Sequence, residues 1–257
     1  MISIQALTFH YQRPIFENFD LQIETGETWA ILGPSGCGKS TLLALLAGLK
    51  LPTGGAIQIN GQRLTRPRPQ TGLILQDYGL LPWATVHENV ELGLKLRSFY
   101  GADGIHAPRS VIAVKETDSW LERLGLTSLA HHYPAQLSGG QRQRTAIART
   151  LVLQPDLLLM DEPFSSLDAP TRASLQTLTL ELAAEQGLTL ILVTHAIEEA
   201  ALLGSKILLL NEPPNRTASI LPNPGAALPG HRESPAYQAL CRILREKMDK
   251  DRVTATF

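Results

Sequence analysis

The chain has 257 residues, 44% of them hydrophobic and 18% charged, with a formal net charge of −1. That length can bury one large core and a subdomain, and the balanced charge excludes a global field that would draw in nucleic acid or anionic lipid. Cys37 and Cys241 are the two cysteines; with no basic stretch leading into an apolar one at the N-terminus, and no apolar run near the roughly 20 residues of a membrane span, they point to a reducing, cytoplasmic setting.

Residues 2–9 and 19–23 alternate apolar and polar positions, as half-exposed strands do, and are joined through a turn at Gln12-Arg13-Pro14. Tyr11 beside them can stack on an adenine or pack on the small sheet, and Phe9 and His10 are rivals for the stacking role. Residues 28–32 read as a short buried strand. The residues that follow, Gly33, Pro34, Ser35, Gly36, Cys37, Gly38, Lys39, Ser40 and Thr41, fit the phosphate-loop pattern G-x-x-x-x-G-K-[ST]. Its glycines let backbone N–H groups converge on an anion, Lys39 brings a point charge to the phosphates, and the Ser40 hydroxyl suits Mg²⁺. A helix over 41–47, closed by Gly48, would aim its positive end at the same place.

Gly54-Gly55 reads as a turn, 56–60 as a strand, and Asn60-Gly61 as another turn. Arg63, Arg66 and Arg68 alternate with prolines, which forbid a regular element and favour a solvated loop. A buried strand over 71–75 ends in Gln76, at the level where doubly wound sheets bind ligands, so Gln76 is a candidate for contact with Mg²⁺ or water. The apolar stretch Leu80-Leu81-Pro82-Trp83 is either core or a surface for a partner. Helices are expected over 86–97 and 110–124, separated by a loop with Gly101, Gly104 and Pro108. His131-His132 lacks companions for a metal site and reads as surface.

A helix is expected over 142–153, and Ser138 is a good N-cap for it. Gly139 and Gly140 before it bare N–H groups at a second positive helix end, with Gln141 next in line. The buried strand 157–160 ends in Asp161-Glu162. Two carboxylates at a buried strand end are costly without a cation, so Asp161 is read as a Mg²⁺ ligand and Glu162 as the group that orients and polarises water. A helix over 170–186, closed by Gly187, leads to a strand over 188–193, which places His195 at the level of Asp161 and Gln76 as a candidate for contact with the γ-phosphate. A short helix over 196–203 and a last strand over 206–210 follow. Residues 211–231 read as loops. Ser234 then caps a final helix whose stripe of Tyr237, Leu240, Cys241, Leu244 and Met248 should pack on the body.

In this order the pieces resemble the ATP-binding cassette (ABC) family over roughly residues 1–210. GPSGCGKST matches Walker A, Gln76 the Q-loop, LSGGQ (137–141) the signature, LLLMDE (157–162) Walker B, SSLD (165–168) the D-loop and His195 the switch histidine. The resemblance implies an α/β fold: a P-loop NTPase (RecA-like) core with an antiparallel β subdomain and an inserted helical subdomain at about 84–149. It implies one nucleotide-binding domain over 1–230, followed by a C-terminal helix and tail over 231–257. It also implies a head-to-tail homodimer in which each ATP and its Mg²⁺ meet Walker A of one subunit and Ser138, Gly139, Gly140 and Gln141 of the other.

By the same likeness Lys39, Ser40 and Thr41 hold the phosphates and Mg²⁺, Glu162 is the catalytic carboxylate, Asp168 links the two sites, and Tyr11 takes the adenine. The likeness is strongest to the nitrate/sulfonate/taurine importer group, through the segment 65–70, LLPW, LDAPTR and the RESPAYQAL ending. It implies transmembrane permease subunits contacting the Leu80–Val86 region, an extracytoplasmic substrate-binding protein and a place on the cytoplasmic face of the membrane. Related ATPases serve thiamine-precursor and riboflavin importers, and soluble ABC ATPases act on cytosolic assemblies such as iron–sulfur cluster biogenesis. Two departures stand out: Ala196 where Asp usually follows the switch histidine, and Leu75 where Phe commonly precedes Gln76.

Overall fold

A computed structural model of the protein describes residues 1–100, 115–226, 228 and 230–254. In chain order the elements are β1 (Ile2–His10), β2 (Pro14–Ile23), β3 (Thr28–Leu32), α1 (Lys39–Leu46), β4 (Gly54–Ile59), β5 (Gln62–Arg63), β6 (Thr71–Ile74), α2 (Val86–Tyr100), α3 (Lys115–Arg123), α4 (Gly139–Leu151), β7 (Leu157–Asp161), α5 (Ala169–Gln186), β8 (Thr189–Val193), α6 (Ile197–Leu203), β9 (Lys206–Leu209), β10 (Ser219–Pro222) and α7 (Pro235–Thr254). They build two sheets. One is antiparallel in the order β2-β1-β4-β5; the other runs β10-β9-β3-β8-β7-β6, parallel except for β10.

The parallel sheet explains the continuous apolar runs in the sequence. Successive residues of a strand face opposite sides, so a strand covered on both sides must be apolar throughout. Trp29, Ile31, Leu157, Leu159, Ile191, Val193 and Leu208 join a core shared with α1 and the antiparallel sheet. Their alternates Ala30, Leu32, Leu158, Met160, Leu190, Leu192, Ile207 and Leu209 join a second core with the helices. The stripe on α7 packs as expected: Tyr237, Cys241 and Leu244 are buried in that second core, with Leu240 and Met248 against it. Ser234 Oγ accepts from the Tyr237 N–H at 3.1 Å, as an N-cap does.

Two expectations need correction. Gly54-Gly55 opens β4 and is not a turn. Gly55 lies at φ 77°, and a Cβ there would sit 2.3 Å from the Ala6 carbonyl oxygen, because β1 bulges at Ala6 (φ 47°) as the two backbones close up. The last strand is not β9: residues 219–222, expected as loop, pair antiparallel with it as β10. A four-residue edge strand ending in proline carries almost no periodic signal. Smaller shifts lie at element ends. β6 stops at Ile74, leaving Leu75 exposed, and α4 begins at Gly139. The loop at 101–109 and the first residues of the helix expected over 110–124 lie outside the described residues.

The helices between β6 and β7 stand on a polar clamp. Asn89 is fully buried in α2. Its Nδ2 donates to the carbonyls of Leu81 (3.1 Å), Ala84 (3.0 Å) and Thr85 (2.9 Å), and its Oδ1 accepts from Leu81 N at 2.8 Å. This clamp fixes the loop that ends in Trp83, which is 73% exposed, so the LLPW stretch is surface at its tip and core at its base, where Leu80 packs. Asn89→Ala strands those carbonyls and should cost about 1–3 kcal/mol. Hydrogen exchange should show residues 80–86 losing protection first; unchanged protection there would mean that the loop holds without the amide.

Candidate functional site

The site is built from the carboxyl ends of β3, β8 and β7, which are neighbours in the sheet. Gly33–Gly38 leaves β3 and turns into α1, with Gly38 as the N-cap residue at φ 109° and ψ 8°. Only glycine fits there: a Cβ would meet Ile15 Cγ2 at 2.7 Å and the Phe16 ring, both on β2. Lys39 is 8% exposed, and its Nζ donates to the carbonyls of Gly33 (2.9 Å) and Pro34 (2.8 Å), so the ammonium is held inside the loop it closes. Cys37 is buried and free, as is Cys241; burial pushes the Cys37 thiol up.

Asp161 ends β7, and its Oδ1 accepts from Ser40 Oγ at 3.2 Å. Burial pushes this carboxyl up, the Ser40 hydrogen bond pulls it down, and the neighbouring Glu162 pushes it up again. A divalent cation would relieve both upward pushes. Among the described residues no group of three or more His, Cys, Asp or Glu could hold a metal ion. One hydroxyl and one carboxylate beside a phosphate loop would suit Mg²⁺, which binds through few protein ligands plus phosphate and water.

Glu162 adopts φ 45°, its N–H bonds the Val193 carbonyl at 2.9 Å, and its Oε2 lies 3.0 Å from His195 Nδ1. The structure thus brings Lys39, Ser40, Asp161, Glu162 and His195 together. Gln76 follows the next strand, β6, and is exposed, with no hydrogen bond to this cluster.

The remaining candidates lie apart. Tyr11 is half-exposed at the β1–β2 turn, edge-on to Phe9 at 5.0 Å and with Lys50 Nζ 5.0 Å from its ring centre. Ser138 caps α4 as expected and forms a capping box: Ser138 Oγ accepts from Gln141 N at 3.3 Å, and Gln141 Oε1 accepts from Ser138 N at 2.8 Å. Gly139 and Gly140 make the first turn between them. Asp168 accepts from Thr171 N at 3.1 Å and caps α5, which draws its carboxyl down.

Several supporting residues carry little signal in the sequence. Arg149 donates to the carbonyls of Tyr78 (2.8 Å) and Gly79, tying the segment after Gln76 to α4. Behind His195, the buried Glu199 accepts from Gln176 Nε2 at 3.0 Å, and burial pushes its carboxyl up. Asn89 had a signal, since it interrupts the apolar spacing Val86, Val90, Leu94 at a core-facing position.

Ala196 is the N-cap residue of α6 and offers no side-chain cap. Ala196→Asp should therefore stabilise by about 1 kcal/mol and raise Tm by roughly 2–4 °C. An unchanged melting curve would show that water already serves those N–H groups.

A family model described as ABC transporter matches residues 16–165. The chain belongs to the ABC transporter family. Taurine import ATP-binding protein TauB of Yersinia pestis bv. Antiqua (strain Antiqua) is 43% identical over 222 residues, which is 86% of this chain and 84% of that protein. The protein of the same name from Pseudomonas aeruginosa PAO1 is 42% identical over 226 residues, covering 86% and 82%. Among solved structures, a dimeric ATP-binding cassette in a post-hydrolysis state, bound to ADP and Pi, matches with a TM-score of 0.74 and 31% identity over 86% of this chain and 98% of that one. A cassette from Clostridium perfringens, part of an ABC transporter complex, matches with a TM-score of 0.73 and 27% identity over 87% and 88%. The expected P-loop NTPase core is thus the fold of an ABC cassette, and the protein is an ABC-type ATPase that binds ATP. No helix among the described residues is long and apolar enough to cross a membrane.

Proposed function

We propose that this ABC ATPase powers a bacterial importer for a small sulfonate such as taurine, from the cytoplasmic face of the membrane. The observation that carries the reading is the identity of 42–43% to proteins named for taurine import, spread over most of both chains. Two copies would pair head to tail. Gly33 to Thr41 of one would cradle the phosphates, Tyr11 would stack on the adenine, and Ser138, Gly139, Gly140 and Gln141 of the other would close the site. Mg²⁺ held by Ser40 and Asp161, with Gln76, would neutralise charge on the transferring phosphoryl group.

The chain's own residues do the rest. Glu162 accepts a proton from the attacking water and fixes its approach. His195, through the 3.0 Å contact to Glu162 Oε2, holds that carboxylate in place. Asp168, exposed at the head of α5, is suited to reach the opposite site. The clamped loop from Leu80 to Val86, with Trp83 at its tip, would seat the permease, and an extracytoplasmic binding protein would deliver the cargo to that permease.

The test is a tagged pull-down from detergent-solubilised membranes, paired with growth of a deletion strain on taurine as sole sulfur source. A stoichiometric polytopic membrane protein and a taurine growth defect are expected. Soluble partners alone would favour a cytosolic assembly. A copurifying permease with normal growth on taurine would move the cargo to another solute, such as nitrate, a thiamine precursor or riboflavin.

A further inference from the structure

Three segments converge beside the phosphate loop, and one side chain joins them. Asn215, in the connection from β9 to β10, is 5% exposed. Its Nδ2 donates to the Cys37 carbonyl inside the phosphate loop at 2.8 Å, and its Oδ1 accepts from Asn211 N at 3.0 Å. Its backbone is stitched to β2: Asn215 N donates to the Ile15 carbonyl at 2.9 Å, and Glu17 N donates to the Asn215 carbonyl at 3.0 Å. Arg216 adds an ion pair to Glu17 at 2.8 Å. Above this junction opens a cavity of about 530 Å³ between the hairpin (Arg13, Pro14), the phosphate loop (Ser35, Gly36) and the β9–β10 connection (Glu212, Pro213).

The hairpin that Asn215 grips carries Tyr11 at its turn, and the loop it grips carries the phosphate site. We propose that Asn215 is a positioning residue for ATP, a latch that sets the span between the adenine platform and the phosphate cradle. The inference rests on the reading of Tyr11 and residues 33–41 as one nucleotide site. ATP is in effect a two-headed ligand, so its affinity depends on both subsites standing at the right separation, whereas a ligand of one subsite is indifferent to that separation. The phosphate loop has internal bonds of its own, from Lys39 Nζ to the Gly33 and Pro34 carbonyls, and these remain when the Asn215 amide is removed from the Cys37 carbonyl.

The experiment is calorimetric titration of the full chain with ATP and, separately, with tripolyphosphate, for Asn215→Ala and the parent. The expected result is ATP binding weakened about tenfold, with tripolyphosphate binding held within about twofold. A general loss of structure would lower both together. Unchanged ATP affinity, or tripolyphosphate weakened in the same proportion as ATP, would overturn the proposal. If the alanine variant fails to fold, Asn215→Ser, which keeps a hydroxyl donor, gives the same comparison with a smaller loss. Lys39→Ala is the control for the site itself: it should weaken both ligands, and retention of both would sink the phosphate-site reading whatever Asn215 shows.

Discussion

Glu162→Gln should bind ATP within a few-fold of the parent and hydrolyse it about 10²–10⁴ times more slowly. The amide is the same size as the carboxylate, tolerates the same backbone angle, and keeps an oxygen to accept from His195 Nδ1. What it loses is the capacity to take a proton from water. Blocked turnover with intact binding should trap the ATP-bound dimer, visible by gel filtration in ATP. Undiminished turnover would remove Glu162 from the chemistry and leave Asp161 as the remaining carboxylate to examine.

Lys39→Ala is expected to act on binding instead. Its ammonium is almost wholly buried and is held by the Gly33 and Pro34 carbonyls. Truncating a desolvated charge that faces an anion costs about 2–5 kcal/mol, or a loss of affinity between roughly 30-fold and a few thousand-fold. The substitution also strands two carbonyls, so a fall in Tm should accompany it. ATP affinity within twofold of the parent would place the phosphates elsewhere.

Much of the active end is legible in the amino-acid sequence, and for a local reason. A phosphate loop is defined by consecutive backbone angles, so its glycines and its lysine must sit at fixed places in the chain. Strand ends are nearly as local: an apolar run that stops at Asp161-Glu162 or at Thr194-His195 shows where a sheet meets solvent. The contacts between those ends are less accessible. That Ser40 reaches Asp161 and Glu162 reaches His195 follows from the strand order β3-β8-β7, which no local pattern encodes. The misreadings share a cause. Gly55 is shaped by a bulge in a strand some fifty positions earlier, and β10 exists because β9 offers it an edge. Asn215 gives no sign of its role, because an asparagine in a proline-rich loop is ordinary until its amide is seen to end on the Cys37 carbonyl.

The two clamps on the segment after Gln76 have a mechanical consequence. Arg149 pins Tyr78 and Gly79 to α4, and Asn89 pins Leu81, Ala84 and Thr85 to α2. Between them they leave little slack from Gly79 to Trp83, and α4 is the same helix whose first turn holds the LSGGQ residues. The segment therefore behaves as a lever arm and not as a spring. A shift imposed on Trp83 should be passed to the end of α4 that carries Arg149, because the turn before it is bonded as well: Tyr78 N donates to the Leu75 carbonyl at 2.9 Å, and Gly79 N donates to Asp77 Oδ1 at 3.1 Å.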